Sequence, residues 1–407
     1  MSRRLHSLLG LVLALALVVV GATGAVLSVQ PTLDRFSGPA VTRGTSVATL
    51  AGAVAARHDG VTTIRVRANG VVTAAFDDGT TGGVERVDPT TGAGLGPFVV
   101  SDFTRTLVDL HRAFLGGETG RMVAAVVAVA MLGLSISGLT MLARRLGGAR
   151  ALFRPVRGGS RLERWHGELG RLAAIGLTIS AATGLWMSAS TFGWVNDGGE
   201  ELMTVEARGL APAPIASLRA LAGVDVADLR ELRFPDPIDR ADTFLLTTAE
   251  GQTRIDPATG DAVAFRPATV AERIGEVARV LHTGRGAWAL GLLLGLSSAA
   301  VPFFAVSGVV LWARRRGRRG ASVANVPAAT ADTVILVGSD GGSTRGFAAT
   351  LATALADHGH RVHVADMNDV DEVHLGAERL LVLAATWGDG AAPASATRFL
   401  DRLDRKS

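Results

Sequence analysis

Nine histidines and no cysteine limit the redox chemistry open to this 407-residue chain. Without cysteine there are no disulfides, thiolate metal sites, iron–sulfur clusters or cysteine nucleophiles. Any electron-carrying cofactor therefore needs other ligands. Four of the histidines stand at the borders of long apolar runs: His6 and His166 at the starts of runs 8–29 and 169–189, His111 and His282 just before runs 122–142 and 287–312. The topology argued below sorts them into an inner pair, His6 and His166, and an outer pair, His111 and His282. Each pair could give two imidazoles to one haem iron, and bis-histidine ligation leaves no open position, which suits electron transfer rather than oxygen binding. Two haems b placed this way would divide a hydrocarbon layer of about 30 Å into shorter hops. A histidine at a membrane border also serves as a plain anchor with one end in water, and the spacing leaves both roles open. His58, His358, His360, His363 and His374 lie on soluble stretches and read as solvated or locally bonded.

A second constellation lies near the C-terminus. The run Gly338-Ser339-Asp340-Gly341-Gly342-Ser343-Thr344 joins an expected buried strand at 333–337 to an expected helix at 344–358. Backbone amides and a helix N-terminus in such a loop form a phosphate cradle, to which Ser339, Ser343 and Thr344 can add hydroxyl donors. After a strand at 379–384 comes Thr386-Trp387-Gly388-Asp389-Gly390. An aromatic in a glycine loop at a strand's C-terminal end can stack on a flat ring, and ligands bind at such strand ends in doubly wound sheets. Together the two loops point to a nucleotide or flavin such as FMN. Singly, each also fits a turn shaped by geometry, or a tryptophan covering a sheet edge.

The elements that position these groups follow from the apolar pattern. Residues are 48% hydrophobic and fall in blocks, and the mean hydropathy is +0.32, a membrane profile. A span needs about 20 apolar residues, and the four runs above meet that length. The first is longer than the apolar core of a signal peptide, roughly 7–15 residues, so it reads as a retained helix. Arg3 and Arg4 precede it, seven arginines between 144 and 164 separate the second and third runs, and five between 314 and 319 follow the fourth. The positive-inside rule then puts both termini in the cytoplasm and segments 31–120 and 190–285 outside. The formal charge is only +4 and the basic clusters hug span ends, which argues against a nucleic-acid partner. The spans carry no charged residue at mid-depth, which argues against an ion path.

The chain also repeats itself. A shift of 160 residues (166 − 6) sets His6 on His166, Gly10 on Gly170 and Thr23-Gly24 on Thr183-Gly184; Leu110-His111 matches Leu281-His282, and Ser137-Gly138 matches Ser307-Gly308. These Gly and Ser/Thr positions suit close helix packing. Outside, each half reads as a helix (41–57; 214–222) followed by strands (62–68 and 71–76; 243–248 and 252–255) and a closing Asp-Pro-x-Thr-Gly turn at Asp88 and Asp256. The expected organisation is a polytopic α-helical membrane protein with internal duplication: helix 1–30, outer α+β module 31–120, helix 121–145, basic loop 146–166, helix 167–190, outer module 191–285, helix 286–313, basic linker 314–331 and a partial α/β domain at 332–407.

The segments LHSLLG, DLHRAFLGGETGR, RWHGELG and LHTGRGAW, with the paired TG and SG steps and the DP-x-TG turns, resemble the PepSY-associated transmembrane family of bacterial inner-membrane proteins linked to iron uptake and ferric-siderophore reduction. The resemblance covers residues 1–316. It implies PepSY modules outside and haem at His6, His166, His111 and His282 passing electrons across the bilayer. Residues 332–403 resemble the flavodoxin-like FMN domain of diflavin reductases: GSDGGSTRGFA stands where that family has GSxTGTAEGFA, with Gly341 in place of Thr and Arg345 in place of an acidic residue, and TWGDGAAP stands where it has TYGDGEPP, with Trp387 in place of the stacking Tyr. That fold has five parallel strands; three precede Ser407, so the resemblance reaches its N-terminal half only. It implies a partner in the form of a cytoplasmic flavin or NADPH reductase, or of the missing flavodoxin half. The function expected is electron transfer from a cytoplasmic flavin to periplasmic ferric iron or a ferric siderophore. The alternative is a non-redox PepSY protein that binds or regulates an envelope partner, with an inert cytoplasmic stub.

Overall fold

The computed structural model describes residues 3–36, 38–39, 41–67, 69–156, 159–196, 202–203, 205–207, 210–239, 241–319, 325–339, 343–386, 392–393 and 395–404. The chain divides into two compact units, one of Met1–Ala14, Gly133–Ala174 and Phe303–Ser407, the other of Leu15–Leu132 and Ile175–Pro302. Among the described residues four helical stretches are long and apolar enough to cross a membrane: Ala14–Leu33, Gly117–Leu146, Arg161–Thr191 and Trp288–Arg314. At most 28% of any of these apolar windows is buried inside the protein, which leaves the rest for lipid. The first span starts later than the expected 8–29, because helix Arg3–Val12 ends in a turn at Leu13 before helix Ala14–Leu27 begins. The fourth is interrupted at Ala300, between helices Trp288–Ala299 and Val301–Arg319. Pro302, which has no N–H to give to the preceding turn, stands at that break.

The second unit carries an antiparallel sheet of β1 Val61–Val66, β2 Val72–Asp77, β3 Gly82–Val87, β4 Gly94–Pro97, β5 Leu229–Arg233, β6 Phe244–Thr248, β7 Gly251–Ile255 and β8 Ala262–Pro267. Their order is β4-β3-β2-β1-β5-β6-β7-β8, so the outer segments expected as separate modules share one eight-stranded sheet. β1 and β5 make the joint, with Thr63 opposite Arg233, Ile64 opposite Leu232 and Arg65 opposite Glu231. Pairing hides two strand edges that would otherwise stay open. One face carries a core drawn from both halves, in which Val47, Leu50 and Val54 of helix Val47–Ala55 meet Ile64, Leu221 and Leu232. The helix expected at 41–57 is confined to Val47–Ala55, begun by Ser46, whose hydroxyl accepts from the Thr49 N–H. The one expected at 214–222 is two short turns, Ile215–Ser217 and Arg219–Ala222.

Both closing turns form as their sequences predict. Asp88 Oδ1 accepts from the amides of Thr90 and Thr91, and Asp256 Oδ1 from those of Ala258 and Thr259. Gly260 ends the second turn at φ +73°, where a Cβ would lie 2.8 Å from Leu218 Cα, so only glycine fits.

In the first unit β9 Thr333–Gly338, β10 Val362–Asp366 and β11 Arg379–Ala384 form a parallel sheet in the order β10-β9-β11. β9 is buried along its whole length, as a central parallel strand should be. Helix Ser343–Asp357 covers one face, its Ala348 and Ala352 packed on Ile335 and Val337.

Helix Val270–Thr283, which follows β8, starts with a capping box. Thr269 Oγ1 accepts from the Glu272 N–H at 3.2 Å, Glu272 accepts from the Thr269 N–H at 2.7 Å, and Arg266 of β8 adds a donor at 2.8 Å. Arg266 first, then the Thr269 amide, holds the Glu272 carboxyl down at about 2. A depressed carboxyl adds stability above its unfolded value, near 4.5, and that stability is lost as pH falls through the folded value. Glu272→Gln is therefore expected to cost about 1–2 kcal/mol at pH 7. The melting-temperature gap to the native chain should close between pH 4.5 and 2.

Candidate functional site

In the second unit the outer pair is brought together. His111 stands in the last turn of helix Asp102–Ala113, which follows β4, and His282 in the last turn of helix Val270–Thr283, which follows β8. Their ring centres are 6.2 Å apart with planes tilted by 53°. His111 Nδ1 lies 2.9 Å from Thr23 Oγ1 and 3.1 Å from the Val20 carbonyl. His282 Nδ1 lies 3.1 Å from Thr183 Oγ1 and 2.9 Å from the Ser180 carbonyl. A carbonyl oxygen can only accept, so the network assigns the proton to Nδ1 in both rings. In each neutral ring Nε2 then keeps its lone pair, the form that binds a metal. Burial disfavours the charged form of both rings: it pulls His111 down to about 4, helped by the nearby His282, and lowers His282 as well.

Glycine makes room for these rings. A Cβ at Gly24 would stand 3.1 Å from His111 Cε1, and one at Gly184 would stand 3.0 Å from His282 Cε1. Each Thr-Gly step thus supplies one oxygen for Nδ1–H and one gap for the ring edge. Thr23 gives its own proton to the Val19 carbonyl at 2.7 Å, and Thr183 to the Ile179 carbonyl at 2.6 Å, so both hydroxyls are left as acceptors.

In the first unit the inner histidines have the same support. His6 Nδ1 is 2.8 Å from Ser137 Oγ, and His166 Nδ1 is 2.7 Å from Ser307 Oγ. Ser307 donates to the Phe303 carbonyl at 2.6 Å, which leaves its oxygen to accept from His166. Gly138 lies against the His6 ring, 3.4 Å from a Cβ position to Cε1, and Phe304 stands edge-on to His166 at 5.4 Å. The pattern is crossed: the histidine of one helix meets the hydroxyl of the next, and the reverse. Three of the Ser/Thr-Gly steps read from sequence as packing alone, at Gly24, Gly138 and Gly184, press on a histidine ring, and at the fourth Ser307 alone meets His166. The signal was their recurrence once in each span beside a border histidine.

The other histidines serve locally. His58 pairs with Glu85 at 2.7 Å and stacks on Phe76, His374 pairs with Asp371 at 2.5 Å, and His358 bonds the Ala354 carbonyl of the helix it follows. Among the described residues no three His, Asp or Glu side chains converge on a metal position.

At the C-terminal end of β9, the Ser339 N–H donates to Ser395 Oγ at 2.7 Å, and Ser395 Oγ donates back to the Ser339 carbonyl at 3.1 Å. This pair of hydrogen bonds ties the start of the first loop to the segment after the second. Thr344 stands in the first turn of helix Ser343–Asp357, and Arg345 beside it is ion-paired with Asp366 at the end of β10. Thr386 follows β11 on the same edge. Asp340, Gly341, Gly342, Trp387, Gly388, Asp389 and Gly390 lie outside the described residues.

The family model of the PepSY-associated TM region matches residues 3–315, 313 of the 407. The chain belongs to the PepSY-associated TM family. The match takes in all four spans, both histidine pairs and the eight-stranded sheet. A flavodoxin model matches residues 335–407, from β9 through both loops, so the family's membrane region is joined here to a flavodoxin-like part. No curated protein matches the chain.

Histidine-selective ¹⁵N NMR of cofactor-free protein is expected to report a protonated Nδ1 and a bare Nε2 for His111 and His282 at pH 7. Gly184→Ala should perturb the His282 signals, whereas Gly133→Ala, whose Cβ meets nothing within 4 Å, should leave them in place.

Proposed function

We propose that this PepSY-associated TM protein carries electrons across the cytoplasmic membrane, from a flavin on the cytoplasmic side to an outer acceptor, ferric iron or a ferric siderophore. The observation that carries the reading is the outer pair: two partly buried imidazoles, each with Nδ1–H anchored, their ring centres 6.2 Å apart. Two imidazoles facing each other across one metal ion, each nitrogen about 2.0 Å from it, set their ring centres about 6 Å apart. The donor set thus fits bis-histidine haem ligation, with His111 and His282 as outer ligands and His6 and His166 as inner ones. A haem held this way supplies an iron that exchanges one electron without opening a coordination position. The protein's own part is to hold the imidazoles in one tautomer and one orientation. Thr23, Ser137, Thr183 and Ser307 do so through Nδ1, an outer-shell bond that also raises ligand basicity. Gly24 and Gly184 keep the ring edges unobstructed.

The flavodoxin-like part fits the input side. Ser339, Ser343 and Thr344 would hold the phosphate of FMN, with Asp340, Gly341 and Gly342 completing that loop, and Thr386 to Gly390 would flank the ring with Trp387 stacked on it. Bound FMN can take two electrons and release them singly. We read the chain as two copies of one unit, with both termini inside and two PepSY-like modules outside. The support is the mirrored strand order about β1 and β5, the two Asp-Pro turns and the four equivalent histidine cradles. Arginines at the cytoplasmic span ends support the orientation.

The test is a reduced-minus-oxidised visible spectrum of full-length protein in detergent, with a haem count per chain. Low-spin b-type bands and about two haems per chain, one for each histidine pair, are expected. His282→Ala and His166→Ala should each lower the count to about one, by loss of one ligand from a different pair. A colourless protein that takes up no added haem sinks the reading and favours a non-redox PepSY protein that binds an envelope partner.

A further inference from the structure

Helix Val270–Thr283 is divided lengthwise into an apolar, a buried and a charged sector. Val270, Ile274 and Val277 are 74%, 42% and 56% exposed. With about 100° of turn per residue, these three fall within about 60° of one another. Glu272, Glu276 and Arg279 occupy a sector roughly opposite. Between the two lie Gly275 and Ala278, both buried, and His282. The charged sector faces the eight-stranded sheet: Glu272 pairs with Arg266 of β8 at 2.8 Å, and Glu276 with Arg230 of β5 at 3.6 Å. The helix therefore lies along the sheet, and its apolar stripe points away from it.

The stripe runs on into a lipid-facing surface. Gly284 closes the helix at φ +66°, and a Cβ there would lie 2.3 Å from Gly291 Cα in helix Trp288–Ala299, so the chain bends sharply into the fourth span. Trp288, Leu293 and Leu296 of that span are themselves exposed. The other half repeats the arrangement. In helix Asp102–Ala113, Phe103 is 70% exposed, and Leu107 and Leu110 share its face. Asp102, Arg105, Asp109 and Arg112 take the opposite face, and left-handed Phe114 and Leu115 turn the chain towards helix Gly117–Leu146. Apolar side chains left in water forfeit the free energy of burial, and a contiguous exposed stripe of them marks a surface with a partner.

We propose that helices Val270–Thr283 and Asp102–Ala113 are interfacial membrane helices, laid between the sheet and the bilayer, with Val270, Ile274, Val277 and Phe103 sunk among the acyl chains of the leaflet on the sheet's side. A strongly charged face set against an apolar one is the form of a helix that lies on a membrane rather than spanning it. The occupant of the stripe is lipid, because the stripe leads straight into a span whose exposed side faces lipid. Both helices carry an outer histidine in their last turn. Sheet and bilayer thus grip the histidine helices from opposite sides. The inference needs only the four spans and stands with or without electron transfer.

The chain has no cysteine, so an introduced one reports on a single place. Val270→Cys, Ile274→Cys, Val277→Cys and Phe103→Cys, with Arg279→Cys as the charged-face control, are made in the full-length chain, labelled with bimane and reconstituted in phosphatidylcholine vesicles. One set of vesicles carries a nitroxide on the acyl chains, and the other is probed with iodide in the water. Stripe labels quenched roughly twofold or more by the acyl nitroxide relative to iodide, with Arg279→Cys reversed, support the interfacial helices. Stripe labels quenched by iodide as strongly as the control put the stripe in water and overturn the proposal. Labels shielded from both quenchers also overturn it, in favour of a protein partner or a second copy. The four stripe sites are exposed and lie on two helices, so a variant that fails to fold leaves the others to decide.

Discussion

The candidate site rests on one bond repeated four times, the Nδ1–H of a histidine given to an oxygen on a neighbouring helix. An imidazole between helices has two nitrogens to satisfy, and burial makes the charged form costly. Giving the Nδ1 proton to a carbonyl or hydroxyl settles the tautomer and turns the other nitrogen into an acceptor. A threonine or serine in a helix suits this task because its own proton goes to the carbonyl one turn back, as Thr23, Thr183 and Ser307 show. That bond slightly weakens a helix; here it leaves an acceptor aimed sideways. The glycine after each threonine is the steric half of the same device, since a methyl group would meet the ring at about 3 Å.

The shared sheet explains how the outer pair meets. Helix Asp102–Ala113 leaves β4 and helix Val270–Thr283 leaves β8, so each histidine is carried from the last strand of its own half. Because β1 pairs with β5, those last strands are the two outer edges of one sheet, and the two helices return from opposite edges to a single place. Two separate modules would leave their relation to be set by loops. The joint, and the core that Val47, Leu50, Ile64, Leu221 and Leu232 build on one face, make it a property of the sheet.

Much of this was legible in the sequence, and the omissions have physical causes. Four spans follow from apolar length, and the two Asp-Pro turns from side-chain oxygens that reach the amides two and three residues on. The four border histidines stood out because they recur at equivalent places. The β1–β5 joint could not be read, since pairing between Ile64 and Leu232 joins strands 168 residues apart (232 − 64) with no turn to announce it. The cradles were missed because a small residue in a span has an adequate explanation in helix packing alone. Only the crossing, in which Ser137 serves His6 while Thr23 serves His111, separates the two readings, and crossing is a tertiary fact.

The flavodoxin-like part shows the same interplay of local motif and neighbour. Arg345 replaces an acidic residue of the resembled loop, and in isolation it would read as one more phosphate donor. The fold gives it to Asp366 at the end of β10, which offsets most of its charge. On the flavin reading proposed above, the first loop would hold a phosphate chiefly by hydroxyls and the N-terminus of helix Ser343–Asp357, a neutral cradle rather than a cationic one. The two hydrogen bonds between Ser339 and Ser395 tie down the residue at its start. A neutral cradle favours the phosphate by geometry more than by field, so binding there should depend on the shape of the loop and only weakly on salt.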